Sequence, residues 1–252
     1  MCLFAATHQI EILERKGIDM SGYRFAVLAV GVCLVVICGT AVSGGGSAAP
    51  ETMIGLPLLF EDDFESGNAD RWQPTDPKAW KVEEVDGNHV YWQFGDSKYE
   101  PKVRSPKNIS WVKDLSVSDF VLEAKMQQMG REYGHRDMCI FFGRQDAEHF
   151  YYVHIATKAD PHANSIFIVN GEPRVSIADE RTTGTDWGQK PHTVRVVRNV
   201  DDGTIKVFFG NMEKPIMIAH DKTFVSGTIG FGTFDDTGRI DDVRLWAKKA
   251  KD

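Results

Sequence analysis

The sequence predicts an all-β protein built as a two-sheet antiparallel sandwich, and three observations carry that prediction. From Leu58 onward, short runs of alternating apolar and polar residues recur, the period-two signature of a half-buried strand. Between them lie the turn signals Asp86-Gly87-Asn88, Asn170-Gly171, Asp201-Asp202-Gly203 and Asp236-Thr237-Gly238. Beyond the N-terminal region no segment sustains a helical period.

The stretch from Gly227 to Trp246 (GTIGFGTFDDTGRIDDVRLW) shows the pattern best. Ile229, Phe231 and Thr233 alternate with glycines. After the turn, strict alternation places Ile240, Asp242, Arg244 and Trp246 on one face and Asp241, Val243 and Leu245 on the other. The same reading gives strands over 58–64, 80–85, 89–94, 120–127, 137–144, 150–156, 165–169, 174–177, 192–198, 204–209, 216–219, 228–233 and 239–246. Asn170-Gly171 is the strongest hairpin signal among their connections.

Residues 1–49 differ from the rest. Residues 25–42 (FAVLAVGVCLVVICGTAV) form an apolar run preceded by Arg24 and followed by small residues. That is the composition of an export signal, with Ala41-Val42-Ser43 as the cleavage site, and it is also long enough to begin a membrane anchor. Both alternatives place the remainder outside the cytoplasm, in the periplasm, at the cell surface or secreted. Ile37 before Cys38 argues against lipid attachment, and Met20 is an alternative start. The organisation expected is an N-terminal extension with signal or anchor (1–49), a linker (50–57), one domain (58–247) and a polar tail (248–252). Cys139 is the sole cysteine beyond residue 38, so the domain can hold no internal disulfide. Asn108-Ile109-Ser110 is a glycosylation sequon.

The net charge of −7 belongs to the domain, because residues 1–49 carry three acidic and three basic groups. Such a balance, without a basic cluster in sequence, excludes nucleic acid and anionic membrane surfaces as natural partners; the membrane would be met only through an uncleaved N-terminal segment. It also disfavours anionic polysaccharides, unless a local basic patch overrides the average.

The segments PLLFEDDFESGNADRWQ, DWGQKPHTVRVVRNVDDGTIKVFFG and TFVSGTIGFGTFDDTGRIDDVRLW resemble the concanavalin A-like lectin/glucanase superfamily. More narrowly, they resemble exported bacterial jelly rolls of the laminin-G-like and 3-keto-disaccharide hydrolase type. The resemblance covers the whole domain and implies a jelly roll whose concave sheet holds any glycan site. It names no activity, since this fold hosts lectins, hydrolases and lyases. It also implies a structural Ca²⁺ where the first and last strands meet, for which Asp63 and Asp241 are the candidate ligands.

Glu61, Asp63 and Glu65 form an E-x-D-x-E pattern similar to the glucanase acid and nucleophile pair, but it opens the domain and carries Asp62 where the family has an apolar residue. Six of eight histidines lie between His135 and His220, four of them within His135 to His162. On the strand over 150–156, Tyr152 and His154 share a face, and with Arg136 they form a candidate catalytic group. His154, His162 and Asp137 equally form a candidate metal set. Trp92, Trp111 and Trp187 are candidate platforms for sugar rings, with Asp137, His162 and Asn164 as polar contacts, whereas Trp80 and Trp246 are expected in the core. The function expected is glycan binding on the concave sheet. The alternative is a glycan hydrolase or lyase using Tyr152, His154 and Arg136, which requires those groups and Asp137 to converge on an open cleft.

Overall fold

The computed structural model describes residues 49–250; the expected signal or anchor lies outside the described residues. In chain order the strands are β1 (Thr52–Met53), β2 (Leu56–Asp62), β3 (Trp72–Pro74), β4 (Trp80–Val85), β5 (Asn88–Gln93), β6 (Asn108–Val112), β7 (Val117–Gln128), β8 (Asp137–Arg144), β9 (His149–Ala156), β10 (Ser165–Asn170), β11 (Val175–Ser176), β12 (Ala178–Arg181), β13 (His192–Arg198), β14 (Thr204–Phe209), β15 (Met217–His220), β16 (Thr228–Thr233) and β17 (Gly238–Lys249). A three-residue 3₁₀ turn, Pro77–Ala79, precedes β4, its Lys78 N–H capped by the Asp76 carboxylate. Among the described residues no helix is long and apolar enough to cross a membrane.

Two antiparallel sheets result. The larger runs β1-β2-β17-β7-β13-β14-β15-β12, with β5 also on β17 and β4 on β5; the smaller runs β11-β10-β9-β8-β16-β6-β3. The linker expected at 50–57 is part of the fold, because β1 and β2 already pair there, and β17 extends into the expected tail to Lys249.

The main core lies between the sheets. Phe60, Tyr91, Leu122, Met126, Val194, Val196, Ile205 and Leu245 from the larger sheet meet Trp72, Met138, Ile140, Phe142, Tyr151, Val153, Ile155, Ile229 and Phe231 from the smaller. Each such side chain contributes about 1.5–3 kcal/mol when fully buried.

Strict alternation fails in β17. The pairing of β17 with β7 slips between Asp241 and Arg244, where Asp242 takes φ +46°, and the extra residue turns both Ile240 and Val243 into the core. Ile240 therefore joins Val243 and Leu245, rather than opposing them. Trp246 points to the opposite, outer side of the larger sheet. There it packs with Leu56 and Val121, and its indole N–H donates to the Pro50 carbonyl at 2.7 Å, so the first described residues roof this patch.

The smaller sheet is buried on both faces, which is unusual for an antiparallel sheet. β6 is buried at every position, and β8 and β9 at all but one each. Its outer face carries a second core of Ile109, Trp111, Cys139, Phe141, Phe150, Tyr152, Phe167 and Val169, with Val103 packed on it. Val103 belongs to the loop 94–107 between β5 and β6. That loop is tied down by Lys102 on Glu148 at 2.6 Å and by the Arg174 N–H on the Arg104 carbonyl at 3.2 Å.

Asn108 closes the loop. Its Oδ1 accepts the Ser97 N–H at 3.0 Å and its Nδ2 donates to Thr233 Oγ1 at 3.0 Å, with no exposed surface. The sequon at Asn108 is therefore inaccessible in the folded domain.

Candidate functional site

The outer face of the smaller sheet carries four of the residues picked out in the sequence, Asp137, Tyr152, His154 and Trp111, in two neighbouring places. At one end, strand pairing sets Asp137 and Cys139 on β8 beside His154 and Tyr152 on β9, with Cys139 directly opposite His154. The Asp137 Oδ2 atom accepts the Phe234 N–H at 2.8 Å and the Cys139 thiol at 3.2 Å, and lies 3.6 Å from His154 Nε2. His154 Nδ1 accepts the Asn164 N–H at 3.3 Å, which fixes the neutral tautomer with hydrogen on Nε2, facing Asp137.

The electrostatics of this centre follow from its burial. Asp137, Tyr152 and His154 are 0%, 0% and 3% exposed. Burial, with the Arg174 and His135 charges, pushes the His154 imidazole down to about 3. Burial and the Asp236 charge hold Asp137 well above the ordinary carboxylate range, and burial and Asp137 raise the Cys139 thiol. A thiol held in its protonated form is no nucleophile. Asp137 Oδ1 and the Tyr152 hydroxyl are buried without a hydrogen-bond partner.

Arg136 does not join them. It donates through Nε to Gln128 Oε1 and through Nη2 to the Gln128 carbonyl at 3.1 Å, clamping the end of β7. So Asp137 and His154 meet, in a closed interior rather than an open cleft; Tyr152 lies on the same face with its hydroxyl bonded to neither, and Arg136 turns away.

The titrations in this centre have opposite signs. His154 is neutral when folded, so its contribution is present above the unfolded value of about 6.5 and is lost as pH falls towards 3, by about 5 kcal/mol at full effect. Asp137 holds its proton longer when folded, so its contribution is lost as pH rises above about 3.9 through its elevated folded value. Asp137→Asn is therefore expected to be more favourable to stability, relative to wild type, at pH 9 than at pH 4. Thermal melts at both pH values check this, and equal Tm shifts would refute the assignment.

The remaining expected contacts are structural. Asn164, at φ +50° and fully buried, accepts the Ala156 N–H at 3.3 Å and donates to the Thr182 carbonyl at 3.0 Å. His162 is exposed in the adjacent turn, where its N–H bonds Asp160. It is not part of the His154 cluster, which corrects the His154–His162–Asp137 metal set. Trp187 is corrected too: it is fully buried, donates its indole N–H to the Ile155 carbonyl at 3.1 Å and meets Phe209 edge-on at 4.9 Å. Trp92 lies on the outer face of the larger sheet with the Lys81 ammonium and Arg239 guanidinium each 4.6 Å from its ring centre.

Asp63 and Asp241 are each engaged in local hydrogen bonds. Asp63 accepts the Glu65 N–H at 3.2 Å, and the Asp241 oxygens accept the Asn88 amide at 3.0 Å and the Asp242 N–H at 2.7 Å. Among the described residues, ligand-type side chains converge instead at Asp137, Cys139 and His154, and at Asp137, Asp235 and Asp236. In the first set the His154 tautomer points a hydrogen, not a lone pair, at the shared space. The E-x-D-x-E pattern also breaks: β2 ends at Asp62, Phe64 enters the core at φ +57°, and Glu65 accepts the His89 N–H.

The second place on this face is open. A hollow of about 230 Å³ is lined by Trp111 and Ile109 of β6, Phe150 of β9, Arg144 at the end of β8, Gln73-Pro74-Thr75 of β3 and its turn, Tyr99 of the covering loop, and Ala147. Trp111 is held edge-on to Phe150 at 5.6 Å, and the Arg144 guanidinium lies 4.9 Å from the Trp111 ring centre. Its volume is below the roughly 300–1,000 Å³ of drug-sized sites, which matches one small polar ring.

Of the sequence candidates only Trp111 lines this hollow; Arg144 and Tyr99 were missed. A hint was present in Gly143, at φ +64°, which ends the alternation of β8 just before Arg144. A larger hollow of about 410 Å³ elsewhere has the Phe60 ring capped by Arg71 at 3.8 Å and mixes Asp70 and Asp114 with Lys113 and Lys249.

No protein-family model matches the chain, and no curated protein does so significantly. Solved structures do. A carbohydrate-binding module (CBM66) from Bacillus subtilis is similar with a TM-score of 0.51 at 17% identity, over 70% of this chain and 96% of that one. A GH43 protein (BlXynB) from Bacillus licheniformis is similar with a TM-score of 0.54 at 13% identity, over 75% of this chain and 39% of that one. The chain thus spans about two fifths of the second protein's length. At these identities the likeness establishes architecture alone: the domain is a two-sheet antiparallel jelly-roll sandwich.

Proposed function

We infer that the protein is an extracytoplasmic carbohydrate-binding domain that holds one sugar ring in the Trp111 hollow. The observation that carries this reading is the composition of the hollow: the aromatic side chains Trp111, Phe150 and Tyr99 beside the polar groups of Gln73, Thr75 and Arg144. Sugar rings present apolar C–H faces and hydroxyl rims, and such a mixture matches both. The structural likeness to a carbohydrate-binding module supports the same class, and the apolar segment at 25–42 supports export. Binding is favoured over catalysis because Tyr152, His154 and Asp137 are closed to solvent and Arg136 faces β7.

The test is a glycan array followed by titration of the full chain. Tyr99→Ala is expected to weaken binding about tenfold or more, with little change in Tm because Tyr99 is half-exposed and outside the core clusters. Trp92→Ala, on the other sheet, is expected to leave affinity unchanged. Loss of affinity in Trp92→Ala with Tyr99→Ala intact would move the site to the opposite face.

A further inference from the structure

We propose that the sugar taken by the Trp111 hollow carries a single carboxylate, held by Arg144. This rests on the glycan-binding reading above and specifies its ligand class. Arg144 stands at the wall of the hollow with its Nε buried and without a hydrogen-bond partner, a state about as costly as a lost hydrogen bond. Among the described residues no carboxylate pairs with it; its one partner is the Trp111 ring.

The acidic groups of the adjoining turn are already committed. Asp146 bonds His149 Nδ1 at 2.7 Å and the Glu148 N–H at 2.7 Å, and Glu148 pairs with Lys102 at 2.6 Å. The guanidinium is thus an uncompensated cation, steadied by an aromatic ring, beside a space the size of one sugar. A planar two-oxygen anion matches its fork of donors.

Three further facts select a sparsely charged glycan over a dense polyanion. The hollow presents one cation, its volume admits one ring, and the chain as a whole carries −7. Successive charges along a polyanion would meet that net field without local compensation. Uronate residues set among neutral sugars meet all three conditions. Arg104 and Arg174 have no ion pair among the described residues either, but their guanidiniums lie over the Phe234 ring, 6.0 and 4.1 Å from its centre, so Arg144 is the one cation that lines the hollow.

The experiment is calorimetric titration of the full chain with uronate-containing oligosaccharides, their methyl-esterified counterparts, neutral glycans and a sulfated oligosaccharide. Expected is tighter binding of the free acid than of its methyl ester by about 10–100-fold, weakened by salt, and lost to a similar degree in Arg144→Gln but only partly in Arg144→Lys. Melting curves of both variants separate lost contact from lost fold, and a variant that fails to fold is replaced by the wild-type ester comparison. Equal affinity for acid and ester, or a preference for sulfate, would overturn the carboxylate assignment while leaving glycan binding standing. Binding of no glycan at all would overturn both.

Discussion

Gly232→Ala is expected to destabilise the domain by about 4 kcal/mol or more, or to prevent folding, as read by urea denaturation. A Cβ at Gly232 would lie 1.7 Å from the Asn108 carbonyl oxygen on β6, a contact with backbone that no rotamer change relieves. To admit it, β6 and β16 must separate. Their pairing of Gly232 with Ile109 and Gly230 with Trp111 would be lost, and with it the floor of the hollow. Gly230→Ala meets the Ser110 carbonyl at 2.6 Å and the Trp111 ring at 3.0 Å, so it should injure ligand binding along with stability. A Gly232→Ala protein with wild-type urea midpoint would show that the two strands are not held as described. The alternating glycines of GTIGFGTF thus exist to let β6 approach, not to loosen a turn.

The second large effect is expected for Trp187→Ala, at about 3–5 kcal/mol. Trp187 lies in the connection between β12 and β13, yet it is fully buried, against Phe209 and His192. Its truncation removes a large ring from the core and leaves the Ile155 carbonyl without its indole donor. Trp187→Phe, which fills much of the volume but lacks the N–H, should recover part of the loss. Equal destabilisation by Ala and Phe would assign the cost to the hydrogen bond alone. The urea midpoint of each variant decides between them.

Much of the architecture was legible in the sequence because period-two alternation and turn residues agreed with one another. β4, β8, β13, β14 and β16 begin and end where that pattern placed them. What was missed has physical causes. β6 is buried on both faces, so NISWV shows no alternation and no strand is predicted around Trp111. β12 (ADER) is mostly exposed and polar, and β3 has three residues, too few for a period. The slip in β17 was invisible because a β-bulge is set by pairing with β7, not by local composition.

For the site, period two correctly placed Tyr152 and His154 on one face, and their neighbourhood with Asp137 followed from adjacent strands. That the face is roofed could not be read, since the roof comes from FGDSKYEPKVRSPK at 94–107, a polar and proline-containing stretch with no sign of where it lies. The same roof is what separates a closed polar interior from the open hollow at its margin.

The strand order carries a consequence for how the molecule behaves at high concentration. The sheets terminate in β1 and β11, two residues each, in β3, three residues, and in β12, which shows Asp179, Glu180 and Arg181 to solvent. β4, paired only with β5, carries Lys81, Glu83 and Glu84. Brief or charged margins of this kind give a neighbouring copy almost no free main chain on which to add a strand, so many molecules can be concentrated without polymerising edge to edge.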